Sequence, residues 1–176
     1  IAFGNDVNAS AAFSTSIGHS SSSDISGQIT LSGCKYRFGA AQLTQYQTYS
    51  IISLGARTST NTPTEMLWQI VDGSTYTGRA TLPNNSTATF KLIVTARNFD
   101  TDGQNDAWEF TGLIHRDANA ASTTIDALQQ NHIGTTGWTA SVAADTTNGG
   151  IGVTVTGPSG STVHWVCVCH IYRVSE

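Results

Sequence analysis

Charge is what this chain has least of. Of its 176 residues only 11% are Asp, Glu, Lys or Arg, against a usual level of about a quarter. Eight Lys and Arg stand against twelve Asp and Glu, so no basic face and no nucleic-acid partner is expected. No stretch of about 18 apolar residues occurs, so no membrane-inserting helix is expected. A signal-like N-terminus is missing too, but a chain that begins inside a repeat can have lost one. Cysteine is scarce: Cys34, Cys167 and Cys169 make no disulfide framework. Cys167 and Cys169, two apart in a Val-Cys-Val-Cys run, would share one face of a strand, too constrained to bridge each other. They read as small buried hydrophobes. A CxC redox or metal pair is the alternative, and no other Cys-rich element accompanies it.

Hydroxyls and glycine fill the gap, with 19 Ser, 26 Thr and 17 Gly. The first 28 residues contain a unit of fourteen: Ile1-Ala2-Phe3-Gly4-Asn5-Asp6-Val7-Asn8-Ala9 is echoed by Thr15-Ser16-Ile17-Gly18-His19-Ser20-Ser21-Ser22-Ser23. In each copy a large apolar residue precedes a glycine, and small residues recur at every second position. A fixed short period means rungs stacked on one another, since no rung buries its own apolar face alone. Gly4 and Gly18 are expected at corners with unfavourable φ. Two rungs cannot form a core, so other chains should share the axis. The plain alternative is a flexible Ser/Ala/Gly leader. The repeat resembles the left-handed β-roll of trimeric adhesin heads, which also occurs in phage tail-fibre shafts.

From residue 29 onward the pattern is β. Strand-like runs cover Thr48–Arg57, Glu65–Val71, Thr87–Arg97, Ala107–Arg116, Gly137–Ala143, Ile151–Thr156 and Thr162–Val174, punctuated by Asp72-Gly73, Pro83-Asn84-Asn85, Asp102-Gly103, Asn148-Gly149-Gly150 and Gly157-Pro158. Such spacing predicts an antiparallel sandwich or jelly roll, with Asn148-Gly149 as a type I′ hairpin turn. Thr124–Gln130 is either a short helix or a strand running into a loop. Ala88, Phe90, Leu92, Val94 and Ala96 share one face, as do Trp108, Phe110 and Ile114. The last strand has two apolar faces: Val163, Trp165, Cys167, Cys169 and Ile171 on one, and Val166 and Val168 between His164, His170 and Tyr172 on the other. Both faces are therefore expected to be covered, one by the sandwich core and the other by a second sheet or a neighbouring subunit.

Phe90–Arg97, Ala107–Arg116, Trp138, Ala143–Asp145, Ile151–Gly157 and Thr162–Val166 follow in a succession similar to the C-terminal domains of phage tail fibres and related viral attachment proteins. The likeness covers roughly residues 64–176. It departs at Cys167 and Cys169, where such domains more often carry Ala or Val and a hydroxyl residue. Together the two resemblances imply an all-β chain: a short N-terminal trimeric β-roll (1–28), a connecting β segment (29–63) and a jelly-roll-like antiparallel β-sandwich head (64–176). They imply a virion-surface homotrimer joined to an upstream fibre shaft, attaching to a host cell-surface receptor, most simply a glycan. The other readings are a structural trimerisation knob, a polysaccharide depolymerase, or a fragment of a bacterial trimeric adhesin.

Candidate chemistry is sparse. Asn98-Phe-Asp100-Thr-Asp102-Gly103-Gln-Asn-Asp106-Ala-Trp-Glu109 has the spacing of a calcium loop, but its flanks are β-patterned, and Asp102-Gly103 reads equally as a hairpin turn. The same acids hold the residue types of a glycosidase pair without showing its separation. No G-x-S-x-G elbow occurs, and His115, His132, His164 and His170 lack zinc-ligand spacing. His115-Arg116-Asp117 reads as a polar surface or interface cluster. Trp108, Trp138 and Trp165 follow strand periodicity and belong to the core; Trp68 is ambiguous. Tyr46, Tyr49, Tyr76 and His132 lie in or beside polar segments where a sugar-stacking aromatic would sit. Asn85-Ser86-Thr87 matches a glycosylation acceptor, a triplet that arises easily in so hydroxyl-rich a chain. No catalytic residue, metal or cofactor is assigned, no receptor-contact residue is singled out, and the chain is expected not to be an enzyme.

Overall fold

The computed structural model describes residues 1–4, 7–19, 21–38, 43–68 and 78–175, with the side chains of 32–38 and 43–47 left aside. The chain is all-β. Its strands are β1 (Ala2–Phe3), β2 (Asn8–Ala9), β3 (Thr15–Gly18), β4 (Ser22–Ser23), β5 (Ile29–Phe38), β6 (Leu43–Thr58), β7 (Thr64–Glu65), β8 (Ala80–Thr81), β9 (Ser86–Asn98), β10 (Asn105–Arg116), β11 (Thr124–His132), β12 (Thr139–Asp145), β13 (Gly150–Thr156) and β14 (Val163–Ser175). A single 3-10 turn, Ala120–Ser122, leads into β11.

Two sheets pack face to face. One has eight strands in the order β1-β3-β5-β6-β14-β9-β10-β11; the other runs β12-β13-β7, with β8 also paired to β13. Alternation drives the burial: along β9 every second residue is inside, from Ser86 to Asn98. Between the sheets lie Ile52 and Leu54 of β6, Phe90, Leu92 and Val94 of β9, and Trp108, Phe110 and Ile114 of β10, against Ala140, Val142, Val153 and Val155 of the small sheet. Trp165 sits at the centre, with ring centroids 5.6 Å from Trp108 and 5.9 Å from Trp138. Its indole N–H donates to Thr58 Oγ1 at 2.9 Å, which satisfies the one polar atom the ring carries inside. Cys167 and Cys169 are buried and free on this same face. Burial pushes the Cys167 thiol up to about 12 and raises Cys169 as well.

The N-terminal strands step by fourteen. Ala2 pairs with Ser16 and Ser16 with Thr30, all parallel, while Asn8 pairs with Ser22 in the separate β2–β4 ladder. Inside these rungs small hydroxyl residues predominate: Ser14, Ser16, Ser21 and Ser23 are buried, with Ile25 and Gln28 beside them. Ser16 donates to Ser21 Oγ at 2.7 Å and Ser23 to the Thr15 carbonyl at 2.7 Å, so the buried hydroxyls are paired. Gly4 and Gly18 have φ of 140° and 118°, and a Cβ on Gly4 would lie 2.0 Å from the Gly18 carbonyl oxygen.

The structure decides one open reading, changes one expectation and narrows another. Thr124–Gln130 is strand, because it finds backbone partners along β10 in antiparallel register. The β12–β13 turn is not type I′, which needs φ > 0 at both central residues; only Gly149 has positive φ, and the loop spans 146–149. Asp145 explains the wider turn, since its carboxylate accepts from the Thr147 and Asn148 backbone N–H groups and from Asn148 Nδ2. Finally, among the described residues no second sheet covers the outer face of β14: Val166 is 54% and Tyr172 56% exposed. Of the run Glu65–Val71, Glu65 belongs to β7, the Met66 N–H donates to the Val153 carbonyl, Leu67 and Trp68 form isolated bridges, and 69–77 lie outside the described residues.

Phe110→Ala should lower unfolding stability by about 3–5 kcal/mol, whereas Thr95→Ala on the exposed face should stay within about 0.5 kcal/mol; chemical denaturation measures both. A thiol reagent at neutral pH should leave Cys167 and Cys169 unmodified in the native protein and label both after denaturation.

Candidate functional site

The exposed face of the large sheet is organised in rows that cross the strands, because directly paired residues place their side chains side by side. One row reads Phe3, Ile17, Leu31, Tyr49, Tyr172, Thr89, Leu113, Ala127. Its first five members are large and apolar or aromatic, and Phe3 is 76% exposed. Around its middle lies an open hollow of about 670 Å³ lined chiefly by Leu31, Tyr49, Leu113, Tyr172 and Val174. Tyr49 and Tyr172 stack at 4.7 Å, and Tyr49 Oη lies 2.5 Å from His170 Nδ1. Desolvation of Tyr49, together with the Tyr172 hydroxyl beside it, raises its pKa.

Toward β11 the chemistry changes. A second hollow, of about 510 Å³, is lined by Glu109, Thr111, Gln129, Gln130 and Asn131. The register sets Glu109 beside Asn131 and Thr111 beside Gln129, and Glu109 accepts an ion pair from Lys91 at 2.7 Å. Amides offer donors and acceptors together, which suits the paired hydroxyls of a sugar. β11 is the free edge of the sheet, and all but one of its residues are exposed. It stands seven strand steps from β1, roughly 34 Å at the usual spacing. No motif marks these amides in the sequence. The available signal was the composition of Thr124–His132, which lacks the apolar alternation that a covered strand requires.

The calcium-like loop is a β9–β10 connection whose oxygens diverge. Asn98 accepts from the Asp100 N–H and donates to Gln104, Asp100 accepts from the Thr162 N–H, and Asp102 is fully exposed beside Arg97 at 3.8 Å. Glu109 faces Lys91 instead. Asp106 turns inward, where His132 Nε2 lies 2.7 Å away and Thr136 Oγ1 and the Ala107 N–H also donate to it. Burial alone would raise the Asp106 pKa, but the hydrogen bonds from Thr136, His132 and Ala107 prevail and hold it below the usual carboxylate value. Trp108 stacks on the His132 ring at 4.9 Å and 1°. The structure thus joins Asp106 and His132, which sequence reasoning kept apart, and separates Asp100, Asp102, Asp106 and Glu109. His115 pairs with Asp126 at 2.8 Å, and Arg116 donates to the Leu82 and Gly149 carbonyls. Trp108, Trp138 and Trp165 are core; Trp68 packs partly buried against it. Tyr46 and Cys34 side chains, and Tyr76, lie outside the described residues.

No family model matches the chain, and no curated protein matches it. Among solved structures it has a likeness to the tailspike protein gp49 of the Acinetobacter baumannii bacteriophage Fri1, described as a capsular polysaccharide depolymerase. The TM-score is 0.35 and the identity 13%, over 77% of this chain and 19% of that one. The chain thus spans under a fifth of the tailspike's length, and the tailspike's activity remains a statement about the tailspike. The expectation that the chain is not an enzyme is corrected by this finding, since the matched protein is one, and that expectation is withdrawn.

Asp106 has a depressed native pKa, so its contribution to stability is present above the unfolded value of about 4 and is lost as pH falls through the lower native value. Asp106→Asn should therefore show a shallower loss of stability on acidification than the unaltered protein, read as melting temperature across the acid range.

Proposed function

We propose that this chain is the distal part of a homotrimeric phage tail fibre that attaches the virion to a glycan on the host surface. The observation that carries this reading is the division of one sheet face into an apolar half continuous with the fourteen-residue rungs and a polar half ending in a free edge. Phe3, Ile17 and Leu31 stack in register and remain wet in a single chain, a surface that threefold association through a trimeric β-roll would hide. The upstream shaft would continue the rungs before β1. β11, at the opposite end of the stacking direction, then points away from the shaft and presents Gln129, Gln130 and Asn131 outward. Each such site is shallow, and three on one rigid head gain effective strength through avidity. The resemblance of residues 64–176 to tail-fibre ends supports the same assignment.

Light scattering should return the mass of three chains, and Ile17→Glu with Leu31→Glu should reduce it to one; a well-folded single chain at working concentration would overturn the assignment. Gln129→Ala with Asn131→Ala should lower host-cell adsorption at least several-fold while the trimer mass persists. Unchanged adsorption would instead favour a head that only closes the fibre. Release of new reducing ends from host polysaccharide decides whether binding is followed by cleavage.

A further inference from the structure

A different row of the same face carries chemistry that neither the apolar rungs nor the β11 edge uses. Arg57 of β6, His164 of β14 and Arg97 of β9 are consecutive cross-strand neighbours, with His164 paired to Arg57 on one side and to Arg97 on the other. All three side chains are exposed. The chain has only eight Lys and Arg in all, and two of them flank one imidazole here. Arg57 has no carboxylate partner among the described residues, and Arg97 reaches only Asp102 at 3.8 Å, where both side chains are open to water. An ion pair so exposed contributes little. The two guanidiniums stand two strands apart with the imidazole between them, so an anion received there would meet positive charge from both sides.

Beside this row stands Phe99, 70% exposed and stacked on His164 with centroids 4.5 Å apart. An exposed phenyl ring at a loop tip is held here rather than left loose. Its backbone N–H donates to the Thr162 carbonyl at 2.8 Å, and the next residue, Asp100, accepts from the Thr162 N–H at 2.5 Å. The loop is thereby tied to the start of β14 on both sides of the aromatic. The row lies eight residues along β6 from Tyr49, roughly 27 Å at the usual strand rise. It is therefore well clear of the apolar rows assigned to trimer contact.

We infer that Arg57, His164, Arg97 and Phe99 form a binding site for a carboxylate-bearing saccharide, such as a uronic acid residue of an acidic surface polysaccharide. The guanidinium groups would receive the carboxylate, for which their planar paired donors are suited, and the Phe99 ring would lie under the apolar face of the pyranose. Three neighbouring strands span roughly 10 Å, the width of one or two sugar units. This site goes beyond the attachment reading and occupies a different place on the sheet, so it can be tested without host cells.

Calorimetry on the intact protein would compare oligogalacturonate with a neutral maltooligosaccharide of equal length. Oligogalacturonate should bind preferentially, and more weakly as salt is raised. Arg57→Gln with Arg97→Gln should weaken it about tenfold or more, Phe99→Ala should weaken it with the charges intact, and Asp102→Asn should strengthen it by removing the competing carboxylate. Equal binding of the neutral sugar, insensitivity to either the arginine pair or Phe99→Ala, or stronger displacement by a single-stranded oligonucleotide would each overturn the inference. No binding of oligogalacturonate alongside normal host-cell adsorption would sink this site and leave attachment standing; lost adsorption with oligogalacturonate binding intact would do the reverse.

Discussion

The small sheet is too narrow for the large one it packs on, and most of what distinguishes this molecule follows from that mismatch. β12, β13, β7 and β8 cover the inner faces of β6, β14, β9 and β10, where the tryptophans and the aliphatic core lie. Beyond that lid the large sheet must find other solutions. At the β1 end the chain folds a second thin ladder over its own strands and fills the gap with paired serine hydroxyls and the buried Gln28 amide, which donates to Ser50 Oγ. At the β11 end the cover thins: Ile125 still packs against the core, while the other residues of the strand are exposed.

The outer face has no lid of its own, and its composition grades accordingly. Large apolar groups crowd the rows that continue the rungs, Gln129 and Asn131 stand on β11 beside Thr111 and Glu109 of β10, and two arginines flank His164 at the far ends of β6, β14 and β9. A face left open to water throughout would be expected to mix these types. One sheet face thus carries three kinds of surface: large apolar groups in line with the rungs, amides along its free edge, and two guanidiniums beside an imidazole.

The few charges inside are arranged with care for their hydration. Asp106 loses its water entirely, and three donors replace it, one of them an imidazole held flat against Trp108. Asp145 gathers three donors from its own turn and sits near Arg79. Such carboxylates tie loops to strands, and the loop 133–138 is bound to β10 in this way. The same donors turn Asp106 away from Asp100, Asp102 and Glu109, with which it shares the calcium-like spacing in sequence.

Periodicity was enough to reveal the all-β class, the buried face of β9, the tryptophan core and the fourteen-residue step, because each depends on neighbours in sequence and on the two-residue alternation of a strand. The sandwich-facing side of β14 was legible for the same reason. What covers its other side was not, since an apolar side chain is equally apolar under a sheet, against a subunit or in water. Which acids meet which bases also lay beyond the sequence: His132 reaches Asp106 across 26 positions, and Arg57, His164 and Arg97 become neighbours only because β14 inserts between β6 and β9. Strand order in a sheet is settled by long-range pairing, and no local pattern records it. The sequence by itself thus determined the kind of structure and its inward face, while tertiary structure alone decided which exposed residues stand together.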